Sequence, residues 1–185
     1  SIVYDLNPGA SSSDPESFVF NDGKLYFRAK DAVSGTEFRI YDTAVIVSGT
    51  NPAGADINPG ATNGIPGDLS LLGNKVYFSA FDGVNGVETW IFDTTLALSG
   101  SNPSLEINLS AGAGSSFPAD FVLINNKVYF SASSSATGLE VWEYDPLVVQ
   151  SGSNPQVIEA IAGATGSTIR NMEAIGNTLY FNVYD

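Results

Sequence analysis

The chain has 185 residues, 43% of them hydrophobic, and its 20 acidic and 7 basic side chains give a net charge of −13. This charge disfavours nucleic acid and anionic lipid as partners, because both require clusters of Lys and Arg. Cys and His are absent, which excludes thiol nucleophiles, Cys/His zinc sites and Ser–His–Asp triads. No apolar run approaches the roughly 20 residues of a membrane helix, so membrane insertion is not expected.

A four-residue block recurs four times along the chain and defines a repeat. It reads Lys-Leu-Tyr-Phe at 24–27, Lys-Val-Tyr-Phe at 75–78 and 127–130, and Thr-Leu-Tyr-Phe at 178–181. The spacings are 51, 52 and 51 residues. Periods of this size are typical of propellers and stacked arrays.

Each repeat contains signals for four short strands. A Gly-, Asn- or Asp-rich turn separates an apolar run from the block, which predicts a hairpin of strands A and B. Gly-x-Glu, at 35–37, 86–88 and 138–140, leads into strand C, and a Ser-Gly-(Thr/Ser)-Asn-Pro loop leads into strand D. Strand B at 76–81 is apolar or small throughout, as expected for a strand buried on both faces. The pattern predicts an all-β, β-propeller-like array of four-stranded antiparallel blades with about 3.6 repeats.

The whole chain, 1–185, is predicted to be a single repeat array. Residues 1–16 end one blade, residues 17–67, 68–119 and 120–170 form three blades, and residues 171–185 start another. A lone strand D at 2–7 would have to complete a last blade that lacks strand C. Two explanations are favoured over a closed monomer: the chain is part of a longer protein, or several chains assemble. Both leave exposed blade edges, which invite pairing with another chain.

The combined motif resembles the bacterial ELWxxDGT-repeat family, in degenerate copies. The best copy runs from Val76 to Asp93, with Gly-x-Glu followed by Trp90. The third copy keeps Glu140 and Trp142, whereas Arg39 replaces the Trp in the first copy. The resemblance implies a β-propeller-like fold in large secreted or cell-surface proteins, so an extracellular or cell-surface location is expected. It implies no enzymatic activity.

Candidate metal ligands lie in the loop after strand B. The loop from Asp82 to Glu88 offers oxygen ligands, among them Asp82 and Asn85, and Asp31 is the equivalent of Asp82 in the first repeat. One interpretation is a calcium loop, calcium being the only cofactor that the sequence suggests. The other is a turn in which these side chains satisfy backbone donors.

Candidate ligand-binding residues recur once per repeat. Glu37, Glu88 and Glu140 either bind a ligand or accept backbone N–H bonds. Trp90 and Trp142 either stack on sugar rings or pack between blades. No pair of carboxylates stands out as the catalytic pair of a glycoside hydrolase.

The leading hypothesis is a non-enzymatic extracellular structural or adhesive module. Its expected partners are further copies of the chain, or further repeats of the same protein, bound through open blade edges. The alternative is a lectin-like β-propeller that binds a glycan at one shallow site per blade. A glycoside hydrolase is a third and weaker hypothesis.

Overall fold

The computed structural model describes residues 4–46, 48, 50–60, 62–158 and 168–184. Within these ranges every regular element is a β-strand, which confirms the all-β prediction. The fourteen strands form three four-stranded antiparallel sheets and one two-stranded sheet. In the part of the chain so described, no helix is long and apolar enough to cross a membrane.

Consecutive strands are neighbours in every sheet, as the predicted four-stranded unit requires. The first sheet comprises β1 (Glu16–Asn21), β2 (Lys24–Asp31), β3 (Gly35–Asp42) and β4 (Ala53–Ala55). The second sheet comprises β5 (Gly67–Leu72), β6 (Lys75–Phe81), β7 (Val87–Asp93) and β8 (Ser104–Ile107). The third sheet comprises β9 (Ala119–Ile124), β10 (Lys127–Ser134), β11 (Gly138–Tyr144) and β12 (Gln156–Ile158). The last sheet is a hairpin of β13 (Thr168–Ile175) and β14 (Thr178–Tyr184).

The repeat extends to the backbone dihedral angles. The first strand of every sheet contains a register shift against its partner strand. At this irregularity Ser17, Asp68, Asp120 and Asn171 have φ of 55°, 50°, 55° and 56°. Asn and Asp tolerate this conformation better than most residues, and a bulge bends its strand. The same bend therefore recurs once per sheet.

A buried asparagine fixes the loop between the third and fourth strands. Asn102 Oδ1 accepts a hydrogen bond from Asp93 N at 2.8 Å, and Asn102 Nδ2 donates to the carbonyl oxygen of Asp93 at 3.0 Å. Asn51 and Asn154 make the equivalent pair of bonds to Asp42 and Asp145. Each asparagine therefore links the end of strand C to the start of strand D within one sheet.

The core lies between successive sheets. In β6 the five residues 76–80 are buried, which confirms that this strand is covered on both faces. Phe78 of the second sheet stacks on Phe38 of the first, with ring centroids 5.0 Å apart. Tyr77, on the opposite face of β6, contacts Phe121 of the third sheet at 6.0 Å. The second sheet is thus packed between two neighbours.

Successive sheets meet through their first strands. β1 packs against β5, β5 against β9, and β9 against β13. No comparable packing joins β13 or β14 to the first sheet in the described ranges. Of the predicted N-terminal strand at 2–7, residues 2 and 3 lie outside the described ranges, and residues 4–7 are not a strand.

Candidate functional site

The three Gly-x-Glu glutamates are fully buried. Glu37 accepts backbone N–H bonds from Gly64 at 2.6 Å and Ile57 at 3.0 Å. Glu88 accepts N–H bonds from Ser116 and Leu109 at 2.9 and 3.0 Å, and a hydroxyl bond from Ser116 at 2.7 Å. Both carboxylates therefore bind the loop that leads from their own sheet to the next one.

Two glycines permit this arrangement around the buried carboxylates. Gly86, which opens the second Gly-x-Glu, has φ of +73°, a conformation that side chains with a Cβ rarely adopt. A methyl group on Gly64 would lie 2.5 Å from Glu37 Oε2. The backbone can approach the carboxylate closely only because this position is glycine.

Burial shifts the acidity of these groups. Desolvation raises the pKa of Glu37 to about 7, even though the N–H bonds from Ile57 and Gly64 oppose the shift. Desolvation likewise raises the pKa of Glu88, against its bonds from Ser116 and Leu109. A raised pKa is a property of many catalytic acids. Neither side chain has accessible surface, however, so the shift accompanies a role in the fold rather than contact with a substrate.

The candidate calcium ligands form turns. Asp82 accepts N–H bonds from Val84 and Asn85 at 2.8 and 2.7 Å, and a side-chain bond from Asn85 Nδ2 at 2.7 Å. Asp31 accepts the equivalent N–H bonds from Val33 and Ser34, and it also pairs with Arg39.

These bonds match the turn interpretation of Asp31, Asp82 and Asn85. Among the residues with described positions, no group of three acidic side chains could hold a metal ion. Calcium binding stays a prediction that the geometry of these two loops does not favour.

The two tryptophans occupy different surroundings. Trp142 Nε1 donates to the Ala132 carbonyl oxygen at 3.0 Å, and the ring packs against the core between the second and third sheets. Trp90 packs against the core between the first and second sheets, but it also lines an open cavity of about 420 Å³. Asp56 and Gly100 line the same cavity. Trp90 therefore lies beside both a carboxylate and free space.

One repeat position changes from buried to exposed at the start of the array. Phe121 and Met172 are 6% and 8% exposed, and the equivalent Leu69 packs against the core between the first two sheets. Phe18, at the same position in the first sheet, is 55% exposed, and the aromatic ring on which it stacks among the described residues is Phe27 of its own sheet. Phe18, the exposed Phe20 and the buried Phe27, which is 5% exposed, define the front face, on the side of the first sheet away from the second. Tyr4, Leu6 and Pro15 line a cavity together with Phe27, so Phe18 and Phe20 are the exposed part of this face.

A second repeat position changes at the end of the array. Tyr26 and Tyr77 are 1% and 2% exposed, because each is covered by the following sheet. The equivalent Tyr180 in β14 is 53% exposed. With the exposed Ile175 and Tyr184 it defines the rear face, on the side of the last hairpin away from the third sheet.

The front and rear faces are the strongest candidate functional surfaces, and sequence reasoning did not select their residues. It identified open edges in general but ranked the Glu, Asp and Trp residues of the motif above them. Comparing the ends of the array with its middle, position by position, would have singled out Phe18 and Tyr180.

The fold defines an all-β repeat protein. No protein-family model matches the chain, and no curated protein matches it. Among solved structures the chain is similar to one described as the computationally designed Ika4 protein. The two are 16% identical with a TM-score of 0.40, and the match covers 97% of this chain and 96% of that one. A likeness of this degree defines neither a family nor a function.

Proposed function

We propose that the chain is a non-enzymatic structural module, a β-propeller-like array whose two open faces bind further copies of the same unit. The observation that carries the proposal is the exposure of Phe18 at a repeat position that is buried in Phe121 and Met172. Exposed apolar patches of this kind mark interaction surfaces. The chain itself indicates the covering partner, since every buried equivalent is covered by another sheet of the same type.

The packing of the sheets supports the propeller-like part of this proposal. Each complete sheet has four strands in sequential order, and the first strands of consecutive sheets lie side by side. A propeller arranges its blades in this way, with the first strand of each blade nearest the axis. Within the described ranges the last hairpin does not pack on the first sheet as consecutive sheets do, so the proposed array has two ends.

The non-enzymatic part of the proposal rests on composition and on the surroundings of the acidic residues. The chain has no His or Cys, and Glu37 and Glu88 are buried and bonded to inter-sheet loops. An extracellular or cell-surface setting is proposed with it, on the resemblance of the repeat to the ELWxxDGT family.

Analytical ultracentrifugation over a wide concentration range tests the proposal. We expect species larger than a monomer, whose fraction rises with protein concentration. Added salt should strengthen association, because it screens repulsion between copies of net charge −13 while apolar burial persists. A single monomeric species at every concentration and salt level would refute self-association.

A second candidate function is glycan binding, which the cavity beside Trp90 favours. An aromatic ring next to a carboxylate at an open cavity is an arrangement that can hold a sugar. We expect binding on a glycan array, and loss of that binding in Trp90→Ala but not in Trp90→Phe. An array with no binding, with or without calcium, would eliminate this alternative.

A further inference from the structure

We propose that copies of this chain associate head to tail, with the rear face of one copy on the front face of the next. This inference rests on the proposed function, and it adds the geometry of the contact. The front face comprises Phe18, Phe20 and Phe27, and the rear face comprises Ile175, Tyr180 and Tyr184. The proposed occupant of each face is a second copy of this chain.

We call the interface between two successive sheets a seam. Each seam inside the chain joins the rear of one sheet to the front of the following sheet. In the first seam, Tyr26 on the rear of the first sheet contacts Phe92 on the front of the second, with ring centroids 5.6 Å apart. In the second seam, Tyr77 on the rear of the second sheet contacts Phe121 on the front of the third. These two seams thus join a rear tyrosine to a front aromatic residue of the following sheet, and in the third seam Tyr129 of the third sheet packs against the same core as Phe181 of the last hairpin.

The front side of each seam also has a phenylalanine at one constant repeat position. Phe78 and Phe130 are both fully buried at the front of the second and third sheets. Phe181 packs at the equivalent place in the last hairpin, against the core that includes Val141. The first sheet has Phe27 at this position, so its front face carries the residue type that the internal seams use.

The two open faces are therefore the two halves of one further seam. Tyr180 has the residue type and repeat position of the rear half, and Phe18 with Phe27 have those of the front half. No seam inside the chain joins two rear faces or two front faces. A contact that copies the internal geometry must consequently be heterologous, and such contacts build rings when they close and filaments when they do not.

The last hairpin also has an open strand edge, which lies beside the rear face. In the complete sheets the second strand pairs with two neighbours, as β6 does with β5 and β7. β14 pairs with β13 alone among the described strands. Its other edge presents backbone groups that a strand from a second copy can satisfy. The open edge of β14 thus offers hydrogen-bonding groups beside the apolar side chains of the rear face.

Two variants, one altered in the front face and one in the rear face, test whether copies associate head to tail. The front variant carries Phe18→Ser and Phe20→Ser, and the rear variant carries Ile175→Ser and Tyr180→Ser. All four side chains are more than half exposed, so thermal unfolding should confirm that both variants fold. A control variant carries Ile46→Ser and Leu147→Ser, which are equally apolar and even more exposed but lie outside both faces.

Native mass spectrometry of the full chain, with one variant labelled with ¹⁵N, measures the outcome. We expect each variant alone to be monomeric, with association weakened at least about tenfold for each variant. An equimolar mixture should form a heterodimer and no larger species, because only one productive seam remains. The control variant should assemble like the unchanged protein.

Three outcomes would overturn the inference while leaving self-association intact. They are assembly of either variant alone as strong as that of the unchanged chain, absence of the heterodimer in the mixture, and assembly of the mixture beyond a dimer. A monomeric unchanged chain would overturn both the inference and the proposed function.

Discussion

Phe121 and Phe18 occupy the same position of the repeat in chemically similar strands, yet one is core and the other is surface. Phe121 lies against Tyr77 of the preceding sheet and stacks on Phe130 of its own, whereas Phe18 has only the second kind of contact. The difference lies in the neighbouring sheet and not in the residue. Repeat position therefore determines that an apolar side chain is present, and place in the array determines what that side chain contributes to stability.

The same contrast holds at the other end of the array. Tyr77 is covered by the third sheet, while Tyr180 faces solvent beyond the last hairpin. In a quasi-one-dimensional array, stability is a sum of terms within sheets and terms between neighbours. The open faces are the places where a neighbour term is missing among the described sheets, and under the proposed function a second copy supplies it.

Truncation of the ring at the repeat position shared by Phe18 and Phe121 should give the largest difference in free energy of unfolding between the middle and the end of the array. Phe121→Ala removes a buried ring from the second seam and should lower the free energy of unfolding by about 3–5 kcal/mol. The matched Phe18→Ala should cost less than about 1 kcal/mol in the monomer, because the ring is already exposed. Urea denaturation at low protein concentration measures both. Equal losses would show that Phe18 is covered within a single chain.

The local unit was largely predictable from the sequence, because its signals are local. The turn at 73–74 and the apolar run after it predicted the hairpin of β5 and β6, and both strands are present. The apolar composition of 76–81 predicted burial on two faces, which the structure confirms. Turn chemistry and short-range hydrophobic pattern suffice for such features.

The partners of polar residues were not predictable in the same way. The sequence marks Glu37 and Asn51 as recurrent, but their bonds reach Gly64 and Asp42, residues that the fold brings near. The Asp82 turn was foreseen as one of two interpretations, because its donors lie only two and three residues away. Sequence separation of the partners thus limited what could be inferred about the candidate site.

The internal seams also contain buried carboxylates, which should make their stability depend on pH. The pKa of Glu37 is about 7 in the fold against an ordinary value of 4.5, so the folded chain binds this proton more tightly than the unfolded chain. The protonated Glu37 therefore contributes fully to the stability of the fold below pH 4.5, and this contribution is lost as the pH rises to about 7. The loss amounts to at most about 3 kcal/mol.

Glu37→Gln isolates this effect, because the amide does not titrate. Unfolding free energies measured across this pH range should fall with pH in the unchanged chain and fall less in the variant. An identical pH dependence in the two proteins would show that Glu37 is not the responsible group. The opposite slope in the unchanged chain would mean that its backbone N–H bonds outweigh desolvation.

The asparagine contacts lie within single sheets, so their contribution should not depend on place in the array. Asn51→Ala in the first sheet and Asn102→Ala in the second each leave backbone groups of strand C without a partner. Each should lower stability by about 2–3 kcal/mol, with the two losses within about 1 kcal/mol of each other. The exposed neighbours offer matched controls, Thr50→Ala and Ser101→Ala. A much smaller loss at Asn51 would show that the first sheet frays and that openness weakens a sheet internally.

The smallest expected effect concerns a polar contact across the first seam. Arg28 pairs with Glu16 of its own sheet and donates to the Pro66 carbonyl oxygen at 3.3 Å, just before the second sheet begins. Arg28→Met keeps the aliphatic stem and should cost less than about 1 kcal/mol, because both charged groups are partly exposed. In 1 M salt the difference between the two proteins should shrink further, since screening already weakens the pair. A loss comparable to that of Phe121→Ala would mean that polar contacts hold the sheets together. Apolar coverage would then no longer explain why the middle and the ends of the array differ.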